Sequence, residues 1–190
     1  MELANEGSLM SVIDLMANRY SERRFSPDPV EDEKLQAILA AGALAPTAEN
    51  KQPQRILVVR GDEALAKVDK CTRCRFGAPV VLVLAYDMTV AARHPDICDF
   101  GMVDVSIVGD HMSLAAAELG VHSCWVGLID PCELRRQFDI PQAYKIVAVM
   151  PLGYPSERSR PSRLHRMRPE LGSTVFFDSY ASPSAEKDAE

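Results

Sequence analysis

The stretch Met102–Leu119 constrains the fold more than any other part of this 190-residue chain. Val103, Val105, Ile107, Val108, Met112, Leu114 and Leu119 spread around most of the circumference of a helix. Gly109, Ser113, Ala115, Ala116 and Ala117 keep much of the remainder small, and Gly120 follows as a C-terminal cap. A helix apolar on nearly every side is a buried helix. A chain this short can bury it in two ways: at the centre of one subunit, or against a second copy.

The rest of the chain alternates strands and helices. A short helical pattern (Leu9, Val12, Ile13, Met16) precedes a second helix, which starts at the acidic run Glu31-Asp32-Glu33. That helix carries Leu35, Ile38, Leu39 and Gly42 at helical spacing and stops at Pro46. Gln54–Arg60 and Pro79–Tyr86 read as buried strands, with a helix over Asp62–Lys70 between them. Val121–Leu128 and Tyr144–Leu152 read as strands flanking a helix over Pro131–Phe138. Asp87–Phe100 has little periodicity and reads as a loop or lid. Ser173–Phe177 is β-rich, placed to pair with its own sheet or a partner's. The expectation is a single three-layer α/β (α+β) domain with a mixed sheet, over 1–178, and a polar, disordered tail over 179–190.

Composition narrows the function. At 47% hydrophobic residues the chain can bury a core as one domain. A net charge of −6 argues against a nucleic-acid partner, which demands a broad basic surface. No apolar run is long enough for a transmembrane helix, and Met1–Glu6 lacks the form of a signal peptide, so a cytoplasmic location and no membrane partner are expected. Five scattered cysteines do not make a disulfide framework. Cys71-Thr72-Arg73-Cys74 is a lone CxxC, and a metal would need further ligands such as His94 or Cys98, which nothing in the sequence brings close. No metal site is expected.

Against that acidic background two basic clusters stand out. Arg19, Ser21 and Arg23 alternate in a segment expected to be extended, so they share one face. Two guanidiniums bracketing a hydroxyl suit a phosphate. Arg166 and Arg168 repeat the spacing far down the chain. Spacing alone leaves solvated surface arginines open as the other reading. Asn50 and Gln52 alternate in the loop Ala45–Pro53, where two carboxamides suit the edge of a polar heterocycle. An ordinary turn accounts for the same residues. Gly-x-Gly-x-x-Gly, a Walker loop and Gly-x-Ser-x-Gly are all missing, which argues against a dinucleotide site, a P-loop and an esterase-like hydrolase. Flavin mononucleotide fits the remaining ligand shape, as do other phosphorylated heterocycles.

Four motifs then carry a family resemblance from about Val12 to Phe177. They are Arg19-Tyr20-Ser21-Glu22-Arg23-Arg24-Phe25; Ala45-Pro46-Thr47-Ala48-Glu49-Asn50-Lys51-Gln52-Pro53; Asp104 through Leu119-Gly120-Val121-His122-Ser123-Cys124-Trp125-Val126-Gly127; and Leu152-Gly153-Tyr154-Pro155. In this order they resemble the flavin-dependent nitroreductase family. The resemblance implies an FMN-bound, domain-swapped homodimer that passes electrons from NADH or NADPH to a small-molecule acceptor such as a nitroaromatic or quinone. It implies that Arg19 and Ser21 bind phosphate with Tyr20 alongside, that Arg23 reaches the pyrimidine side, and that Arg166 and Arg168 close over the phosphate. Thr47, Asn50 and Gln52 would line the ring, and the backbone of Trp125, Val126 and Gly127 would face its hydride-accepting nitrogen. Arg73 is a weaker candidate for the pyrimidine edge, and His94 for substrate contact. No side chain is assigned a catalytic role, because the flavin carries the reactive atom. Thr47 replaces the usual serine, Gln54 the usual tryptophan, and Asp87–Phe100 is short for a lid. Reductive dehalogenation, flavin breakdown and a thiol-based redox module using Cys71 and Cys74 are the alternatives.

Overall fold

The computed structural model describes residues 11–94 and 98–180. Helices α1 (Val12–Asn18) and α2 (Asp32–Ala43) precede strand β1 (Gln54–Arg60), helix α3 (Asp62–Asp69) and strand β2 (Val80–Asp87). A two-residue hairpin pair, β3 (Arg93–His94) and β4 (Cys98–Asp99), leads into helix α4 (Phe100–Glu118). Strand β5 (His122–Ser123), helix α5 (Pro131–Gln137) and strand β6 (Tyr144–Gly153) complete the body. The central sheet has the order β1-β2-β6-β5, and its ladders are antiparallel. The mixed character expected of it comes from a single parallel bridge between Ser21 and Ser123.

Strand β2 explains the three layers. Each of its residues is buried, as an uninterrupted Val/Leu run covered on both faces should be. Val80, Leu82, Leu84 and Tyr86 point into a core shared with Leu35 and Ile38 of α2 and Val105, Val108 and Met112 of α4. Val81 and Val83 point the other way, into a core with Leu65 and Val68 of α3 and Leu134 of α5. Helix α4 lies close against its neighbours because glycines make room. A Cβ on Gly101 would meet the Tyr86 ring at 2.2 Å, one on Gly42 of α2 would meet Met112 Cγ at 2.8 Å, and one on Gly109 would meet Trp125 Cζ2 at 2.4 Å.

The helices end where their residues dictate. Ser11 caps α1 by accepting the Asp14 N–H, and Asp130 caps α5 by accepting those of Cys132 and Glu133, with Pro131 at the first position. Gly120 takes φ +72° after α4, the left-handed turn a glycine makes without strain.

Three segments differ from expectation. Asp87–Phe100 holds the short β3–β4 pairing, and Asp99 caps α4 by accepting the Gly101 N–H at 3.1 Å. Val121–Leu128 holds a two-residue strand whose pairing with β6 continues past Ser123, through the Cys124 N–H donating to Pro151 O at 3.2 Å and a bridge between Val126 and Val149. Ser173–Phe177 forms no strand; a 3-10 turn covers Leu171–Ser173, and Phe177 is 84% exposed. The segment pairs with neither edge strand of its own sheet, β1 or β5. The expected tail lies outside the described residues from 181 onward.

Candidate functional site

The arginine segment is extended, as its alternation demands. Arg19 leaves α1 at φ −61°, ψ 127°, Ser21 bridges Ser123, and the Glu22 N–H donates to Ser123 O at 2.9 Å. Side chains therefore alternate across it: Arg23 is exposed, Glu22 buried and Ser21 half-buried. Arg19, Tyr20, Ser21 and Arg23 open into a cleft of about 560 Å³, whose far wall is Ser162, Leu164, His165 and Arg168. Residues from the two ends of the chain thus meet in one place. The 3-10 turn Arg163–Arg166, capped by Ser162 accepting the Leu164 N–H, sets the far wall. His165 shares a hydrogen bond with the Ala17 carbonyl at 3.0 Å through Nε2, docking that wall onto the end of α1.

The electrostatics of the cleft are one-sided. Among the described residues no carboxylate forms an ion pair with Arg19, Arg23, Arg166 or Arg168. Arg23 donates to Ser21 O at 3.3 Å, and Arg168 donates to Met167 O at 2.9 Å. Each guanidinium has five N–H groups, so most remain available to an anion. Arg166 belongs to the same turn but does not line the cleft.

The amide loop sits elsewhere. Thr47 precedes a 3-10 turn (Ala48–Asn50), and its Oγ1 accepts the Gln52 N–H at 3.1 Å. Glu49, Asn50 and Gln52 all have positive φ, between 48° and 53°, so the loop is held in an uncommon shape. Asp104 of α4, 2% exposed, holds it by accepting the Ala48 N–H at 2.8 Å. Gln52 Nε2 donates to Asn50 Oδ1 at 3.0 Å, so the two carboxamides form one unit on the surface. None of Thr47, Asn50 and Gln52 lines the arginine cleft of its own chain. Among the described residues, two buried side-chain oxygens lack a hydrogen bond, Asp104 Oδ2 and Gln54 Oε1, and both belong to residues that flank this loop.

Trp125, Val126 and Gly127 follow directly on the Ser21–Ser123 bridge. The Trp125 ring lies against Gly109, and Val126 exchanges both backbone hydrogen bonds with Val149 at 3.0 Å. Gly127 is exposed. Arg73 lies apart, in a shallow depression with Leu128 and Ile129, and His94 is on β3.

Two of the thiols, Cys71 and Cys124, are buried. Burial pushes the Cys71 thiol up to about 11, and its Sγ donates to Lys67 O. Burial also pushes the Cys124 thiol up. The thiolate is the reactive form, so burial disfavours reaction at Cys71. Among the described residues no group of three His, Cys, Asp or Glu side chains is arranged to hold a metal.

Sequence reasoning missed Ser162 and His165 in the cleft wall and Glu22 beneath it. The first two lie in the same basic stretch as Arg168, and Glu22 occupies the position opposite Ser21 in the alternation; both patterns were available.

A three-layer α+β subunit that gathers arginines in a cleft without carboxylate partners has the charge and the donors to receive an anion. Comparison with known proteins specifies it further: residues 16–76 and 75–154 match the Nitroreductase family, and the chain belongs to that family. A Methanothermobacter thermautotrophicus protein with the provisional name NADH dehydrogenase/NAD(P)H nitroreductase is 32% identical over 173 residues, covering 83% of this chain and 87% of the relative. A nitroreductase family protein from Clostridium difficile 630 superposes with a TM-score of 0.83 at 32% identity, covering 90% of this chain and 99% of that one. The FMN complex of a Desulfovibrio desulfuricans protein superposes with a TM-score of 0.76 at 26% identity, over 90% of this chain and 98% of that one. No helix among the described residues is long and apolar enough to cross a membrane.

Proposed function

We propose that the chain is an FMN-dependent oxidoreductase that moves electrons from NADH or NADPH to a nitroaromatic, quinone or similar small acceptor. The observation that carries this reading is the cleft in which Arg19, Ser21, Arg23 and Arg168 converge without a carboxylate to neutralise them. A phosphate monoester matches that donor set, since it accepts several charge-assisted hydrogen bonds at once.

A bound flavin would supply the redox chemistry between nicotinamide and acceptor, and the residues below would hold and orient it. Arg19, Ser21 and Arg168 hold the phosphate, Tyr20 packs alongside, and Arg166 adds positive charge at the rim. Arg23, at the end of the segment, turns its guanidinium toward the pyrimidine side, where fixed positive charge favours the anionic reduced ring. The backbone of Trp125, Val126 and Gly127 borders the ring, because the Ser21–Ser123 bridge brings that strand next to the phosphate segment. Thr47, Asn50 and Gln52 complete the ring pocket from a second copy. Their distance from the cleft of their own chain and the two orphaned oxygens beside their loop both support a site completed across an interface.

The homodimer rests on apolar surface. Met102 and Val103 on α4 are 45% and 44% exposed, and Val12, Ile13 and Met16 on α1 are exposed as well. Phe176 and Phe177, exposed and unpaired with the sheet of their own chain, are the segment that pairs with the partner. Purified protein is expected to be yellow and to bleach anaerobically on adding NADH or NADPH, with colour returning on adding a quinone. Protein that stays colourless after FMN is added contradicts the reading.

A further inference from the structure

The cations of the cleft stand on a buried anion. Glu22 faces away from the cleft and is 1% exposed. Its Oε1 accepts the backbone N–H groups of Arg23 at 2.8 Å and Arg24 at 2.7 Å. Its Oε2 accepts the Ser159 hydroxyl and lies 3.9 Å from His122 Nδ1. Ser159, 6% exposed, is also 3.3 Å from the Tyr20 hydroxyl, and the Tyr20 ring meets His122 edge to face at 4.8 Å. The Ser156 N–H donates to Arg24 O at 2.8 Å, closing the same junction from the other side.

A buried carboxylate is costly unless its oxygens are filled, and here both are. Two of the donors are backbone groups of the arginine segment itself. The third is the hydroxyl of Ser159, three residues before Ser162, where the far wall of the cleft begins. The carboxylate therefore fixes the backbone at Arg23 and Arg24 and ties it to the chain that carries Arg168. Among the described residues no guanidinium pairs with this carboxylate, so the charge of Arg19, Arg23 and Arg168 is not spent on it.

We propose that Glu22, held by Ser159, is a positioning residue for the phosphate grip, splinting the Arg19–Arg24 backbone so that Arg19 and Arg23 reach one bound nucleotide. The inference rests on the FMN reading above.

Titrating apo-protein with FMN and with riboflavin, which lacks the phosphate, separates the grip on the phosphate from the grip on the ring. The wild type binds FMN more tightly than riboflavin. Glu22→Ala loses about tenfold or more in FMN affinity, the scale of losing hydrogen bonds to a charged group, and loses less in riboflavin affinity, because Arg23 meets the ring that both ligands share. Glu22→Gln keeps an acceptor for both backbone N–H groups and a partner for Ser159, and stays within about threefold of wild type. Ser159→Ala leaves the carboxylate in place, loses severalfold in FMN affinity and less in riboflavin affinity, and serves where Glu22→Ala does not fold. An unchanged FMN preference in Glu22→Ala and Ser159→Ala overturns the proposal alone. Equal losses of FMN and riboflavin also overturn it, because the role is then scaffold only, as does a Glu22→Gln variant that falls as far as Glu22→Ala. A wild type with no preference for FMN overturns the phosphate reading and the proposal with it.

Discussion

Ser21 and Ser123 face each other across a parallel bridge, which puts the arginine segment and the strand entering Trp125 on one backbone ladder. The phosphate end and the ring end of the proposed site are thereby fixed relative to each other without any side chain spanning them. Binding energy at the phosphate then serves to place the ring, a use of remote contacts that lowers the entropic cost of orientation.

Arg19→Ala removes one guanidinium from that ladder. FMN affinity should fall by about 10- to 100-fold, corresponding to roughly 1.5–3 kcal/mol for a hydrogen bond to a charged group. Riboflavin affinity should not change. Fluorescence titration of the apo-protein measures both, and equal affinity of wild type and variant for FMN contradicts the assignment.

Gly109→Ala tests the packing under Trp125. A Cβ there meets Cζ2 at 2.4 Å and Cη2 at 2.6 Å, so the indole must shift to admit it. Overpacking of this kind costs about 1–3 kcal/mol. Thermal unfolding should show a Tm several degrees lower, with an altered near-UV signal from Trp125; an unchanged Tm contradicts the close approach.

Asp104→Ala leaves the Ala48 N–H without its buried acceptor. An unsatisfied buried donor costs about 1–3 kcal/mol, and the positive-φ loop at Glu49–Gln52 loses its anchor. Denaturant unfolding should report that loss, and hydrogen exchange should rise at Ala48–Gln52. Asp104→Asn, which keeps an acceptor, should retain most of both.

This loop also shows what the sequence could not convey. The alternation of Asn50 and Gln52 was legible, yet their bond to each other depends on three positive-φ residues that no periodicity encodes. Elements set by local chemistry were readable within a residue or two: α5 from Asp130-Pro131, α4 from its apolar circumference, and β2 from its Val/Leu run. The cleft was half readable. Arg19, Ser21, Arg23 and Arg168 declared themselves by spacing, whereas the docking of His165 on Ala17 is a contact across 148 residues. Ser173–Phe177 reads as a strand because its residues favour one, but no local pattern says whether a sheet edge lies where the segment runs, and in its own chain it pairs with none.

The thiols give a pH-dependent test. The folded Cys71 thiol titrates at about 11, above its ordinary value of 9.0, because burial disfavours the thiolate. Its contribution to stability is complete below pH 9 and is lost as pH rises through the folded value, because above pH 9 the unfolded chain gives up that proton first. Denaturant midpoints should fall between pH 9 and 11, and Cys71→Ala should flatten that part of the profile. At pH 8 a maleimide should label exposed Cys132 well before Cys71; early labelling of Cys71 contradicts its burial.

The most direct measurement is a crystal structure of the protein loaded with FMN. The phosphate should sit within hydrogen-bonding distance of Arg19, Ser21 and Arg168, with the isoalloxazine running toward Trp125–Gly127 and the Thr47–Gln52 loop of a second copy closing over it. A phosphate bound elsewhere, with those arginines facing solvent, contradicts the account.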